Sequence, residues 1–297
     1  MTTTRKMHEG EAATDPDLVR RLLRGQFPQW AQLPVTRLAS GGTVNAVYRV
    51  GTGLTVRLPL LEGGAGSVDH EARWLPRLAP LLPVPIPEVV ALGEPAEGYP
   101  WRWAVHRWLA GDVLAEGAAD DGLARDLAAF VRAMRTARLD GGPPAYRGGP
   151  LRGADPQTRA AIEALRRTDE PFDADALLAS WEQALTAPDW AGAPCWTHSD
   201  LMPGNLLGAD GRLTAVLDFG TVGVGDPAID LIPAWNLFTP AARRTFREGV
   251  DVDEATWERG RGWALSMAVV QLPYYRHTNP VISANARHVL GQVLAGR

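Results

Sequence analysis

"HSDLMPGNLL" occupies residues 198–207, and "LDFG" follows at 217–220. The first stretch puts a carboxylate, Asp200, and an amide, Asn205, on one short loop around Pro203-Gly204, with His198 at its head. The second ends an apolar run with another carboxylate, Asp218. If the apolar runs flanking the loop are strands that form a hairpin, Asp218 returns to the loop. Asp200 then suits a group that orients a hydroxyl and accepts its proton. Asn205 and Asp218 offer hard oxygen atoms of the kind Mg²⁺ prefers. Phosphoryl transfer needs these parts in this order: a positioned hydroxyl, a metal-bound triphosphate and compensated charge. The plainer alternative is a polar turn in which Asp200 and Asn205 only cap backbone groups. His198 is the second catalytic candidate, although with Asp200 filling the base role it reads more readily as a buried brace for the loop.

The period of the sequence changes on either side of this loop. Upstream, "TDPDLVRRLLRGQF" at 14–27 predicts a helix capped by Thr14 or Asp15, with Pro16 in its first turn and Gly25 at its end. "VTRLASGGTVNAVYRVGTGLTVRLPL" alternates polar and apolar residues and predicts strands at 35–39, 44–50 and 54–58. A loop then leads into a short helix capped at Ser67 or Asp69 and limited by Pro76. Further strands are expected from near Ile86 and across 99–112. Beyond Gly111 the chain turns helical: Leu123, Leu127, Phe130, Val131 and Met134 share one face of a helix over 120–137. Helices are also expected at 155–168, 174–186, 227–238, 240–250, 253–272 and 283–295, with Ala209 to Gly211 as a hairpin turn. The expected architecture is α+β and two-lobed: residues 1–108 form a small antiparallel sheet with a helix, and residues 109–297 a larger, mostly helical lobe. A cleft between lobes is where a ligand is expected.

Composition narrows the function classes. The 297 residues carry a net charge of −4 with no basic stripe, which argues against a nucleic-acid binder. One cysteine, Cys195, permits no intrachain disulfide, and "MTTTRKMHEGEAATDPD" lacks the apolar core of a signal peptide. Both fit a cytoplasmic protein. No apolar run is long enough for a membrane span. Monomer and dimer stay open.

"HSDLMPGNLL", "VLDFG" and "GDPAIDL" together resemble the aminoglycoside phosphotransferase and choline kinase group, relatives of protein kinases. The resemblance implies a protein-kinase-like two-lobe fold across nearly the whole chain and transfer of the γ-phosphoryl group of ATP or GTP, with Mg²⁺, to a hydroxyl of a small molecule. It makes Asp200 the base and Asn205 and Asp218 the metal ligands. Backbone groups around His106 to Trp108 would hold the purine, and Asp226 and Asp230 would support the catalytic loop. "ASGGTVNAVYRV" resembles the nucleotide loop, so Ser40, Gly41, Gly42 and Thr43 are candidate phosphate contacts, although a Gly-Gly turn between strands can equally be only a hairpin. Ser199 in place of arginine, and the missing Ala-Pro-Glu after "LDFG", set the chain apart from protein kinases.

The chain departs from the resemblance at one place. The usual strand lysine is Arg57 in "LTVRLP", with Glu71 in "HEARWL" as its expected partner. Arginine is a planar fork rather than a point charge. It either binds phosphate bidentately or marks a nucleotide-binding pseudoenzyme. Aminoglycosides, the first acceptors the resemblance suggests, are polycations that need clustered carboxylates. Residues 262–297 contain none. Acids cluster instead at Asp155, Glu163, Asp169 and Glu170, and from Glu248 to Glu258, as solvated faces or ligand faces. A metabolic kinase acting on a sugar or amino alcohol is therefore a further alternative. Trp181, Trp190, Trp235, Phe238 and Trp263 are either core or the lining of an apolar pocket.

Overall fold

The computed structural model describes residues 10–38 and 44–296, so Ser40, Gly41, Gly42 and Thr43 lie outside the described residues. The chain packs as two units. One comprises Met1–Pro80, Pro85–Ala110 and Leu217–Gly220, the other Leu81–Val84, Gly111–Val216 and Thr221–Arg297.

The first unit opens with α1 (Pro16–Gln26), where Asp15 accepts the Leu18 amide at 2.7 Å and Pro16 starts the first turn. Gly25 lies inside α1 rather than at its end. Leu18, Val19, Leu22 and Leu23 are the buried face, and they share a core with Tyr48, Val56, Leu58 and Trp103 of the sheet. That sheet contains β1 (Val35–Arg37), β2 (Asn45–Val50), β3 (Leu54–Pro59), β4 (Val89–Gly93) and β5 (Trp103–Arg107), in the order β1-β2-β3-β5-β4, antiparallel throughout. The strands expected from near Ile86 and across 99–112 are thus shorter, starting at Val89 and spanning only 103–107. The helix expected from Ser67 or Asp69 is instead α2 (Glu62–Leu78). Its first turns contain Gly63, Gly64 and Gly66, and Gly64 must lack a side chain because a Cβ there would sit 2.6 Å from the Val44 side chain. Pro76 falls in the last turn, and the helix ends two residues after it.

In the second unit β6 (Asp112–Val113), β8 (Leu206–Ala209) and β9 (Arg212–Val216) form one small sheet, and β7 (Cys195–Thr197) pairs with β10 (Gly223–Gly225) in another. The hairpin is therefore β8–β9, closed by Asp210 and Gly211 at φ 50° and 70°, the pattern of a two-residue turn. The strand before the loop, β7, pairs with β10 and not with the strand leading to Asp218. The helices are α3 (Asp121–Thr136), α4 (Asp155–Arg166), α5 (Ala174–Leu185), α6 (Pro233–Asn236), α7 (Pro240–Val250), α8 (Glu254–Tyr275) and α9 (Pro280–Ala295). The helix expected over 227–238 is broken into a 3-10 turn, Pro227–Leu231, and α6, because Pro233 cannot continue the turn before it. α8 is buried on nearly all sides, as befits the central helix of its unit. It carries Arg259, which is 2% exposed and forks onto Asp226 at 2.7 and 3.1 Å. Trp181, Trp235, Phe238 and Trp263 are core, and Trp190 is half-buried.

Candidate functional site

In the first unit three pieces of chain converge on one guanidinium. Arg57, in β3, donates from Nη1 to Glu71 Oε1 of α2 at 2.6 Å and from Nη2 to Asp218 Oδ1 at 2.6 Å. The Asn45 amide, turned with its oxygen toward Arg57, accepts from Nη2 at 2.7 Å and Nε at 3.0 Å. Asn45 lies two residues from Val47, the cross-strand partner of Arg57, so it is the diagonal neighbour on the same sheet face. Glu71 Oε1 also accepts the Phe219 amide at 2.9 Å, which ties the segment carrying Asp218 to α2. Burial alone would depress the Arg57 guanidinium. Asp218 and Glu71 outweigh it and hold the charge more firmly than usual. Burial pushes the Glu71 carboxyl up, and Arg57 pulls it back. Asp218 adopts φ 61°, a left-handed backbone that a non-glycine residue holds only where its surroundings impose it.

His106 stands behind this cluster with its Nε2 3.7 Å from Glu71 Oε2 and without a hydrogen-bond partner. Burial, reinforced by Arg57, pushes its imidazole down to about 3, so the ring is neutral at physiological pH and the approach to Glu71 is not an ion pair. An imidazole depressed in the folded state contributes stability that is present above its unfolded value near 6.5 and is lost as pH falls toward 3, at up to about 1.4 kcal/mol per pH unit. The urea midpoint is therefore expected to fall less between pH 7 and pH 5 in His106→Gln than in wild type. An identical fall in both would show that His106 does not carry the acid sensitivity. The neighbouring backbone is engaged within the unit: the Arg107 amide donates to Glu88 O at 3.0 Å and the Trp108 amide to Gly53 O at 2.8 Å. Arg49 stacks over the Trp108 ring at 4.2 Å.

In the second unit the loop at 198–205 is pinned from below. Asp230, 1% exposed, accepts the His198 amide at 2.7 Å and the Ser199 amide at 2.8 Å on its two oxygens. Burial raises the Asp230 carboxyl, and the two amides and His198 oppose that rise. His198 is fully buried; its Nδ1 accepts the Asp200 amide at 3.3 Å, and its carbonyl accepts from Thr221 Oγ1 at 2.9 Å. These contacts are those of a brace. Ser199 takes φ 68°, which turns the chain so that Asp200 points outward, a quarter exposed. Asn205 Nδ2 donates to Asp200 O at 2.8 Å and Oδ2 at 3.1 Å. The amide nitrogen is thus the end spent on the loop.

Sequence reading missed Arg147. It donates from Nη1 to Asp200 Oδ1 at 3.0 Å and to Ser199 O at 3.2 Å. The loop "GGPPAYRGGP" at 141–150 brings it there by lying along β10: Ala145 N donates to Val224 O at 3.0 Å, Val224 N to Pro143 O at 2.8 Å and Asp226 N to Gly148 O at 2.9 Å. The fit requires glycine, since a Cβ on Gly225 would meet Gly148 O at 2.4 Å. A lone arginine in a Gly-Pro loop, 53 positions from Asp200, carries no sequence signal of this contact.

Each unit thus holds a distinct chemical capacity. The first presents a fixed cation and a carboxylate. The second presents a carboxylate held by two donors on a braced loop, as a group that aligns a hydroxyl must be. A family model described as "APH: Phosphotransferase enzyme family" matches residues 35–263. Among solved structures, a GDP and kanamycin complex of APH(2")-IIia is similar with a TM-score of 0.72 at 21% identity, over 94% of this chain and 99% of that one. Macrolide 2'-phosphotransferase type I gives a TM-score of 0.65 at 17% identity, over 93% and 97%. Macrolide 2'-phosphotransferase MphH from Brachybacterium faecium gives 0.57 at 23%, over 87% and 91%. At these identities the likeness concerns the fold. No curated protein matches the chain.

Proposed function

Because the chain belongs to the phosphotransferase enzyme family, we propose that it transfers the γ-phosphoryl group of ATP or GTP to a hydroxyl of a small molecule of the aminoglycoside or macrolide type. The observation that supports this most is the convergence of β3, α2 and the segment after β9 on Arg57, which sets a phosphate-binding cation beside Asp218. Asp200 aligns the acceptor hydroxyl. As the acceptor oxygen bonds to the γ-phosphorus, the bond to the β,γ-bridging oxygen breaks, the nucleoside diphosphate leaves, and the hydroxyl proton passes to Asp200. The oxygen-only set of Asn205 and Asp218 suits a hard divalent ion. These two residues would hold Mg²⁺, which would neutralise triphosphate charge. Arg57 takes the lysine's role with a fork that suits a phosphate's paired oxygens.

The test is release of nucleoside diphosphate from ATP and from GTP with a panel of aminoglycosides, macrolides, sugars and amino alcohols, read together with the mass of the acceptor product. Acceptor-dependent release with an 80-Da mass gain, roughly that of one phosphoryl group, is expected for one acceptor class. Nucleotide binding with no acceptor turned over would move the chain to the pseudoenzyme reading.

A further inference from the structure

Asp200 stands a quarter exposed just after Ser199, whose φ of 68° turns it outward. A carboxylate in that position changes rotamer readily unless its surroundings hold it. Two nitrogens hold this one. Arg147 Nη1 donates to Asp200 Oδ1 at 3.0 Å and, at the same time, to the main-chain Ser199 O at 3.2 Å. Asn205 Nδ2 donates to Asp200 Oδ2 at 3.1 Å and to the main-chain Asp200 O at 2.8 Å. Each donor thus ties one carboxylate oxygen to a carbonyl of the same loop, and the carboxylate cannot turn without losing a tie. The arginine tie is charge-assisted and the amide tie is neutral, so the arginine is the stronger restraint.

Arg147 is itself fixed on both sides. Before it, Ala145 N donates to Val224 O at 3.0 Å and Tyr146 N to Thr221 O at 3.3 Å. After it, Gly148 O accepts from Asp226 N at 2.9 Å. Thr221 also donates its hydroxyl to His198 O at 2.9 Å, so one residue fastens both the arginine loop and the segment leading to Asp200. The fit has no slack: a Cβ on Gly223 would meet Ala145 N and Pro143 O at 2.6 Å. The Tyr146 ring lies 4.9 Å from the guanidinium. A long side chain on an untethered loop would lose much rotamer and backbone freedom to reach a carboxylate; this one starts from an anchored main chain.

Resting on the phosphotransferase reading above, we infer that Arg147 is a positioning residue for phosphoryl transfer. It holds the Asp200 carboxylate in the orientation that aligns the acceptor hydroxyl, and it acts on kcat rather than on the binding of nucleotide or acceptor. Phosphoryl transfer draws its rate mainly from positioning and charge compensation. A misplacement of about 1 Å at a reacting group can cost on the order of 100-fold. A single nitrogen, Nη1, makes both bonds, so a lysine ammonium can replace it here, although it could not replace a two-nitrogen fork.

The test compares wild type, Arg147→Met and Arg147→Lys in steady-state kinetics with the acceptor that wild type phosphorylates, with melting curves to verify folding and crystal structures of wild type and Arg147→Met. In Arg147→Met kcat is expected to fall about 10- to 100-fold while KM for both substrates stays within about threefold. Arg147→Lys should recover most of that loss. The Asp200 carboxylate should keep one orientation in the wild-type crystal and leave it, or occupy several, in Arg147→Met. An unchanged kcat, a loss confined to KM, or a kcat as low in Arg147→Lys as in Arg147→Met would overturn the inference. So would an Asp200 carboxylate that stays in place without the arginine. A kcat raised in Arg147→Met would overturn it too, by showing that the guanidinium competes with the acceptor hydroxyl for Asp200. Absence of turnover in wild type with every acceptor would count against the phosphotransferase reading, and the two crystal structures would still decide whether Arg147 holds Asp200.

Discussion

Replacing Asp200 by alanine is expected to lower acceptor phosphorylation by roughly 10²- to 10⁴-fold, the usual contribution of a positioned general base. Nucleotide affinity should change little, because Arg57, Glu71 and Asp218 form a cluster of their own. Stability should change by no more than about 1 kcal/mol, since the Asp200 and Arg147 side chains are each about a quarter exposed and the freed donors can meet water. Asp200→Asn should lose as much: it keeps the volume and the contact with Asn205, but an amide takes up no proton. The three readouts are single-turnover product formation, fluorescent-nucleotide titration and thermal melting. Phosphorylation within a few-fold of wild type in either variant would remove Asp200 from the base role. A large loss of nucleotide affinity would mean that the loop contributes to nucleotide binding.

Arg57→Met is expected to cost both stability and turnover. It leaves the Glu71 carboxyl, 1% exposed, without the partner that compensates its burial. Removing one member of a buried pair typically costs about 3–5 kcal/mol, here limited because Glu71 can take up a proton. Its carboxyl is already raised by burial, and loss of Arg57 raises it further. A carboxyl raised in the folded state lends stability that is complete below its unfolded value and is lost as pH rises through the folded one. The penalty in Arg57→Met should therefore be small near pH 4 and grow toward pH 8, where melting should fall by roughly 10 °C. Arg57→Lys keeps a charge that can stand between Glu71 and Asp218, although it cannot also hold the Asn45 oxygen. It should retain stability to within about 1 kcal/mol and lose far less turnover than Arg57→Met, whose loss should exceed about 100-fold. Full activity in Arg57→Met would mean that the guanidinium is a structural tie only. Higher turnover in Arg57→Lys than in wild type would mark the arginine as a catalytic loss.

Local spacing made part of this legible. Asp15-Pro16 announced α1, the alternation across 35–60 announced β1 to β3, and the apolar face of 123–134 announced α3, because caps, turns and periodicity act within a few residues. Arg57 and Glu71 could be paired on paper because strand and helix are adjacent in sequence. α2 was misjudged at its start because Gly63, Gly64 and Gly66 read as a loop, and only the tertiary structure shows Gly64 packed against Val44. The strand partner of β7 was misjudged for a related reason: consecutive apolar runs suggest a hairpin, whereas β7 pairs with β10 across the intervening β8–β9 hairpin.

Sequence by itself determined the chemistry on offer. Asp200, Asn205 and Asp218 stand at intervals set by one loop and one hairpin, and covalent spacing already limits how such groups can be arranged. Only the tertiary structure decided what surrounds them. Asn45 is brought to Arg57 by strand register, Asp230 reaches the amides of His198 and Ser199 from 31 or more positions away, and Arg147 reaches Asp200 along a loop bound to β10. Asp169 and Glu170, which looked free to receive a cation, were matched to Arg276 and Arg287, 107 and 117 positions away. Such contacts depend on packing between segments remote in the chain, and composition and period contain no record of them.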